Sequence, residues 1–472
     1  MKKVLVALVI LTMVCFGSLA FAAAEVSVGG SVQIRSRDFG NLRFENGDPS
    51  GTYADTQERI ELDVNMKAGD DVKGKIALWN DFQDWGNIEN PEGSGFGNSL
   101  SSNPGTDHFG FREAWLNFNL PVIPVNVTAG HQMLALGEGW FLRNKHFGDD
   151  AWVIANVTGN NVVAFVNIVA SKAIATEADS AVDAYALLDV YKFNENNTAG
   201  IYLANVNARP GAGVVVPYPP LGSAVPEFTN VAGTDLYNLG LHYAGKIGPL
   251  DLHAELDLQT GHLENTNINT EPKFSGNQIV IQGDVPLDPV TFKFTLARGS
   301  GDKAAFCTNT YECPSVSNAA NPNVQQFINF LDVDPHYTFL YEYKTITAAG
   351  ARNTGFANTT AVSVGANVAV SKSVNIGLDL WYLMATEKDS TPLALATNDT
   401  QTSADVGAEA DLSINWKLYD NLTWNWQLGY YKPGGAMRAP GIPDSTSTAN
   451  AGSVGGTINP VYGVQGVLSL NF

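Results

Sequence analysis

The sequence predicts an all-β fold: a transmembrane antiparallel β-barrel of about 18 strands, with 16 as the alternative count. Three observations carry the prediction: an export leader, period-two alternation along the chain, and a closing strand that ends in Phe472. The leader comes first. Lys2 and Lys3 precede an apolar run from Val4 to Leu11 that extends to Phe16, and Ala20-Phe21-Ala22 follows as a small-residue cleavage site. Residues 1–22 therefore read as a secretory signal peptide, and 23–472 as a single outer-membrane β-barrel domain. No later apolar run approaches the ~18 residues of a spanning helix. An exported chain without spanning helices is periplasmic, secreted or an outer-membrane barrel.

Charge narrows the function. The chain has 27 Lys plus Arg against 47 Asp plus Glu, a net charge of −20, and loss of Lys2 and Lys3 takes it to −22. No basic face is available for phosphates, which excludes nucleic acid as a partner. Charged residues are only 16% of the chain, below the ~25% of an ordinary soluble protein.

Alternation then places the strands. In Thr56 to Met66, Ile60, Leu62, Val64 and Met66 lie opposite Gln57, Arg59, Glu61, Asp63 and Asn65. Leu250 to Gln259 repeats the pattern, with Asp251, His253, Glu255 and Asp257 opposite four leucines and Ala254. A sandwich interior could not hold such charges unpaired, so the apolar face meets lipid and the polar face lines a lumen. Strands are expected at 26–37, 54–67, 72–83, 109–120, 124–135, 150–157, 161–172, 181–193 and 198–207. Nine more follow at 234–246, 249–261, 275–285, 289–298, 357–370, 373–386, 403–417, 420–431 and 460–472. Short turns alternate with long connections, the pattern of periplasmic turns and external loops. The alternating segment 337–346 would break parity and is assigned to the longest loop, within an external hairpin. The last strand, Tyr462 to Phe472, has the form of an assembly signal, with Phe472 read by the barrel assembly machinery.

Several segments resemble the alginate-export family of outer-membrane porins. Val406 to Met437 resembles that family's penultimate hairpin, ending in a Pro-Gly step, and Ser363 to Asp389 the hairpin before it. Gly299 to Lys303 matches a Gly-Asp-Lys step that opens a long loop. Gly130-His131-Gln132 matches a Gly-Arg-Gln step with His131 in place of Arg. The chain is also similar to the large porins of metal-reducing bacteria. The resemblance implies a bacterial outer-membrane channel.

Alternation from the strand centres assigns the pore lining. Arg35, Arg37, Arg59, Lys73 and Lys75 form a basic wall, with Glu61 and Asp63 beside it. Asp251, Glu255, Asp257 and Asp284 form an acidic wall, Asp183 and Asp189 extend it, and Asp379, Asp405, Glu409 and Asp411 form a second acidic arc. Facing walls of opposite charge would orient solutes in transit; the alternative is that these charges pair across neighbouring strands. The loop 136–149 is expected to fold inward, with Gly137 and Gly139 permitting the bends and Glu138, Arg143, Lys145, Asp149 and Asp150 at the constriction. Cys307 and Cys313, the two cysteines after the leader, are expected to form a disulfide in an oxidising compartment.

No catalytic constellation, metal-ligand spacing or cofactor motif stands out, so no enzyme, metal or cofactor is expected. The reading is a porin for passive diffusion of small hydrophilic solutes or ions, modestly cation-preferring because inward acids outnumber bases. A polysaccharide or specific-substrate export channel, and a structural sheath around an electron-transfer partner, stand as alternatives. The expected partners are outer-membrane lipid, the assembly machinery and the solutes; a homo-oligomer is left open, because nothing in the sequence marks an interface.

Overall fold

Eighteen long antiparallel strands close on themselves in a computed structural model of the chain. The structure describes residues 24–41, 53–85, 110–171, 182–208, 217–218, 223–224, 231–265, 273–301, 324–329, 337–342, 355–387, 403–437 and 459–472. The first nine strands are β1 (Ala24–Gly40), β2 (Tyr53–Ala68), β3 (Val72–Asp84), β4 (Gly110–Asn119), β5 (Val125–Leu136), β6 (Leu142–Thr158), β7 (Asn161–Ser171), β8 (Val182–Asn194) and β9 (Asn197–Ala208). The rest are β10 (Val231–Ile247), β11 (Leu250–Asn265), β12 (Asn277–Leu287), β13 (Val290–Gly299), β14 (Thr359–Ala369), β15 (Val374–Ala385), β16 (Asp405–Tyr419), β17 (Leu422–Pro433) and β18 (Val461–Asn471). Each strand pairs with its successor, and β18 returns to β1 in a register that sets Ser31 opposite Asn471 and Gly40 opposite Tyr462. Closure gives each of these eighteen strands a neighbour on both sides, the condition for a sheet in hydrocarbon; a separate two-residue pairing joins Pro217–Tyr218 to Ser223–Ala224. All eighteen strands lie where the alternation predicts them. β6 alone begins well before its expected start, at Leu142, because its first residues pair with Leu134 to Leu136 of β5. No helix among the described residues is long and apolar enough to cross a membrane.

Burial is inverted relative to a soluble protein. Large apolar residues on alternate positions face outward and are exposed, among them Leu116, Trp152, Phe165, Leu187, Leu203, Leu241, Phe292, Val364, Leu380 and Tyr430. This is the lipid-facing band. Near the short-turn end of the barrel it carries aromatic rings: Trp416 stacks on Trp424 at 6.4 Å and Trp424 meets Trp426 at 5.1 Å. Such amphipathic rings favour a membrane interface. At these turns Asp70 and Asp420 lie beyond the band, and hydrogen bonds from Lys67 and Lys417 hold their carboxyls below the usual range.

The interior is not uniformly polar. From β6 to β10 the inward side carries Ala151, Val166, Ile168, Ala184, Ala186, Ala204, Val206 and Leu236, all buried in one cluster with Phe141, Phe327 and Ile328. Those last three belong to chain folded into the barrel. A second cluster joins Phe39, Trp140, Phe339, Leu340, Tyr341, Phe356, Trp381 and Tyr431. The apolar inner wall exists because connecting segments cover it.

One expectation about a connection is corrected. Tyr337 to Glu342, the described part of the alternating segment 337–346, forms no external hairpin. It makes bends and a turn against the inner wall of β16 to β18 and β1. Residues 338–342 are all buried there, so the segment packs on every side rather than on alternate positions. The leader at 1–22 and the cysteines Cys307 and Cys313 lie outside the described residues.

Candidate functional site: the lumen and its infolded segments

The basic wall is built by register. β1 and β2 pair so that Arg35 faces Gln57 and Arg37 faces Asp55. Arg35 Nε donates to Gln57 Oε1 at 3.1 Å, and Arg37 Nε donates to Asp55 Oδ1 at 2.7 Å. On β3, Lys75 Nζ lies 3.0 Å from Glu113 Oε1 of β4 and 3.3 Å from Asp63 Oδ1 of β2. Lys73 is exposed at the turn end of the barrel, opposite Lys67 and Asn117.

A bulge adds a cation that alternation does not reveal. Ala77 pairs with Glu113 but Leu78 with Phe111, so Arg112 is the extra residue of β4. It turns inward and bonds Glu61. Its guanidinium carbon stands 5.1 Å from the Trp79 ring centroid, and that of Arg59 stands 4.6 Å from the same centroid. Two guanidinium groups thus flank one indole, an arrangement that holds planar cations by the ring quadrupole.

The acidic wall is dominated by a buried network on β11. Glu255 and Asp257 are 1% and 0% exposed. Tyr202 of β9 places its hydroxyl 3.0 Å from Glu255 Oε1 and 2.5 Å from Asp257 Oδ1. Asn238 donates to Asp257 Oδ1 at 2.8 Å and Gln278 to Asp257 Oδ2 at 3.1 Å. Asp251 and Asp284 stand opposite each other in register nearer the turn end, and Lys293 faces Asp284 from β13 while bonding Asp379 at 3.0 Å.

The β5–β6 hairpin reaches this wall across the lumen. Gly137 (φ 57°) and Gly139 (φ 91°) adopt left-handed backbone that other residues resist. A Cβ on Gly137 would also stand 2.7 Å from Glu255 Oε2. The tip so formed sets the Glu138 amide 2.5 Å from Glu255 Oε2. The Glu138 carboxylate lies between two imidazoles, with Oε1 3.3 Å from His242 Nδ1 and Oε2 2.7 Å from His253 Nδ1. Phe141 and Trp140 then enter the two apolar clusters, Phe141 with its ring 6.2 Å from Tyr202 and Trp140 with its ring 5.0 Å from Phe356.

On the second arc, Glu409 and Asp411 receive the segment 337–342. Glu409 Oε1 accepts from Leu340 N at 2.5 Å and Oε2 from Tyr341 N at 2.8 Å, while Asp411 Oδ2 accepts from Phe339 N at 3.3 Å.

Several inward assignments are corrected. Asp150 shares the outward face of Trp152 and Ile154 and meets His131 Nδ1 at 2.9 Å. It lies outside the constriction because it takes the outward phase beside the buried, inward Ala151. Asp405 lies beyond a bulge: Leu383 pairs with Gly407 but Met384 with Asp405. Val406 takes the inward place, fully buried, and the Asp405 carboxylate bonds the outward Tyr382. Asp183 and Asp189 alternate with buried Ala184 and Ala186 and share the outward face of Tyr185 and Leu187. Of the remaining constriction residues, Arg143 pairs with Ala135 along the hairpin and Asp149 with Gln132. Lys145 lies in β6, but its side chain is outside what the structure describes. Among the residues that alternation missed are Arg112, Glu113, Trp79, Tyr202, His242 and Lys293; Glu113 and Trp79 do sit on the polar phase of their strands.

Comparison with known proteins follows this geometry. The barrel is similar to a BenF-like porin from Pseudomonas fluorescens Pf-5, with 11% identity, 95% of this chain and 98% of that chain covered, and a TM-score of 0.53. It is similar to OccAB4 of Acinetobacter baumannii, with 9% identity, 95% and 98% coverage and a TM-score of 0.52. OccK1 (OpdK) of Pseudomonas aeruginosa gives 10% identity, 94% and 98% coverage and 0.51. At these identities the likeness is one of fold. No curated protein sequence matches the chain. The family profile described as alginate export matches residues 25–450, so this outer-membrane channel barrel belongs to the alginate export family.

Proposed function

We propose that the chain is a passive diffusion channel for small hydrophilic solutes and ions, with a modest preference for cations. The observation that carries the first half is the pairing of charges along the wall of β1 to β4. Arg37 is matched by Asp55, Arg112 by Glu61, and Lys75 by Asp63 and Glu113. A channel for a polyanionic chain needs an unbroken run of cations. A wall that alternates in sign suits small polar solutes, which exchange between hydrated sites without being gripped.

The cation preference rests on fewer groups than a count of acids suggests. Glu255, Asp257 and Glu409 are engaged by protein donors and buried. Asp251 and Asp63 keep partly exposed side chains, Asp284 is exposed, and the chain's net charge of −20 adds a field at the mouths. Exposed charges are screened within about 10 Å at 0.1 M salt, so the preference should weaken as salt rises. The test is reversal potential under a KCl gradient in planar bilayers. Asp251→Asn with Asp284→Asn should shift it toward anions. Clear anion selectivity in the parent, or no shift in the double variant, overturns the cation preference; absence of any channel overturns the reading itself.

A further inference from the structure

The inward carboxylates of β11 and β16 have the position of a selectivity filter, but their bonding is that of fasteners. We infer that Glu255 and Glu409, each with the aspartate two residues on, are positioning residues that hold infolded segments against the barrel wall and thereby set the aperture of the pore. This inference rests on the channel reading above.

The argument begins with the backbone. A connecting segment drawn into a barrel brings unpaired amide N–H groups with it, and each must find an acceptor or be left at a cost. A strand wall cannot supply one from its backbone, because its carbonyls are already paired along the sheet. An inward carboxylate supplies two strong acceptors. Glu409 uses both: one oxygen takes Leu340 N and the other Tyr341 N. Asp411 takes Phe339 N, so three successive amides face one carboxylate pair. The next amide, Glu342 N, is bonded within the segment by Thr338 Oγ1 at 2.9 Å, which closes the turn.

β11 repeats the device. Glu255 Oε2 takes Glu138 N at the hairpin tip, and its other oxygen is held by Tyr202. Gln278, which bonds Asp257, also donates to Trp140 O of the same hairpin at 3.3 Å. Two residues beyond Asp257, Gln259 makes the neutral version of the contact. Its Nε2 donates to Ile328 O at 2.7 Å and its Oε1 accepts from Ile328 N at 2.9 Å. Two connections are thus fastened by inward polar residues, the β5–β6 hairpin at residues 138–140 and the connection between β13 and β14 at Ile328 and at 339–341.

Steric fit supports the same assignment. A Cβ on Gly429 would stand 2.8 Å from Leu340 Cγ, and one on Gly463 would stand 3.0 Å from Leu340 Cδ2. The wall is cut back to glycine where the segment lies. With its oxygens engaged by protein donors and 3% exposure, Glu409 has little to offer a passing ion.

The experiment uses the full-length protein in planar bilayers and in detergent. Glu409→Gln replaces two acceptor oxygens by one and preserves shape. We expect open-state conductance to rise or to flicker, with reversal potential unchanged. In parallel, amide hydrogen exchange read by mass spectrometry should show protection of residues 337–342 falling roughly 10- to 100-fold, the range for a lost hydrogen bond to a charged group. Glu255→Gln should do the same at residues 137–141. Heat-modifiable gel mobility checks that each variant still closes its barrel. A shift of reversal potential toward anions at unchanged conductance would show that these carboxylates select ions, and unchanged protection of 337–342 would show that they fasten nothing; either result overturns the inference. If the parent forms no channel, the diffusion reading and the aperture claim fail, while the exchange measurement still decides whether the carboxylates hold the segments.

Discussion

Phe141 offers a direct test of whether the β5–β6 hairpin is docked inside the barrel as a separable unit. The side chain is fully buried, with its ring 6.2 Å from Tyr202 and 6.4 Å from Phe327. Phe→Ala at a buried site costs about 3–5 kcal/mol. The eighteen-strand ladder does not depend on this contact, since its register is set by backbone pairing elsewhere. The cost therefore falls on the equilibrium between docked and released hairpin, which should move by about two to nearly four orders of magnitude toward release. The hydrogen bonds from Glu138 N to Glu255 and of Glu138 with His242 and His253 oppose release, so conductance should show brief openings to a larger level rather than one wide state. The assays are single-channel recording and limited proteolysis between residues 137 and 141. Heat-modifiable mobility should match the parent. Unchanged conductance together with unchanged resistance to cleavage would refute the docking argument. Loss of the folded barrel would refute the separation of hairpin from wall.

Three further outcomes are expected. Backbone hydrogen bonds with Gly30 hold Phe472 at the seam and its exposed ring lies over Gly30 on the outward face, so Phe472→Asp, which puts a charge there, should reduce the yield of folded barrel in outer-membrane fractions without blocking export; an unchanged yield would count against it. His242 and His253 hold the two oxygens of the Glu138 carboxylate at the hairpin tip, so His242→Ala with His253→Ala should speed proteolytic cleavage between residues 137 and 141; unchanged resistance would count against that role. Finally, Gly137→Ala must both strain a left-handed residue and press on Glu255, so it should mimic Phe141→Ala in recordings while leaving the β-dominated circular dichroism spectrum intact.

The barrel was legible because a strand's side chains alternate with a period of two, and because lipid and water demand opposite chemistry on its two faces. Ile60 to Met66 and Leu250 to Leu258 therefore announce their strands and their outward sides without reference to the rest of the chain. Connection lengths supplied the direction of each strand. Inward charges on regular stretches, such as Arg35, Arg59, Lys75, Glu255 and Asp257, followed from the same rule.

Tertiary structure decided the rest wherever the period is broken or long-range contact takes over. A bulge inserts one residue, and one residue reverses every side chain beyond it. Arg112 is thereby turned into the lumen and Asp405 out of it, though nothing in the local sequence marks either site. Which inward residues meet solutes is a still less local matter. Glu255 and Glu409 look like pore charges in sequence. Amides that lie 117 and 68 or 69 residues away in the chain take up their oxygens, and that meeting exists only once the barrel has closed and its loops have folded into it.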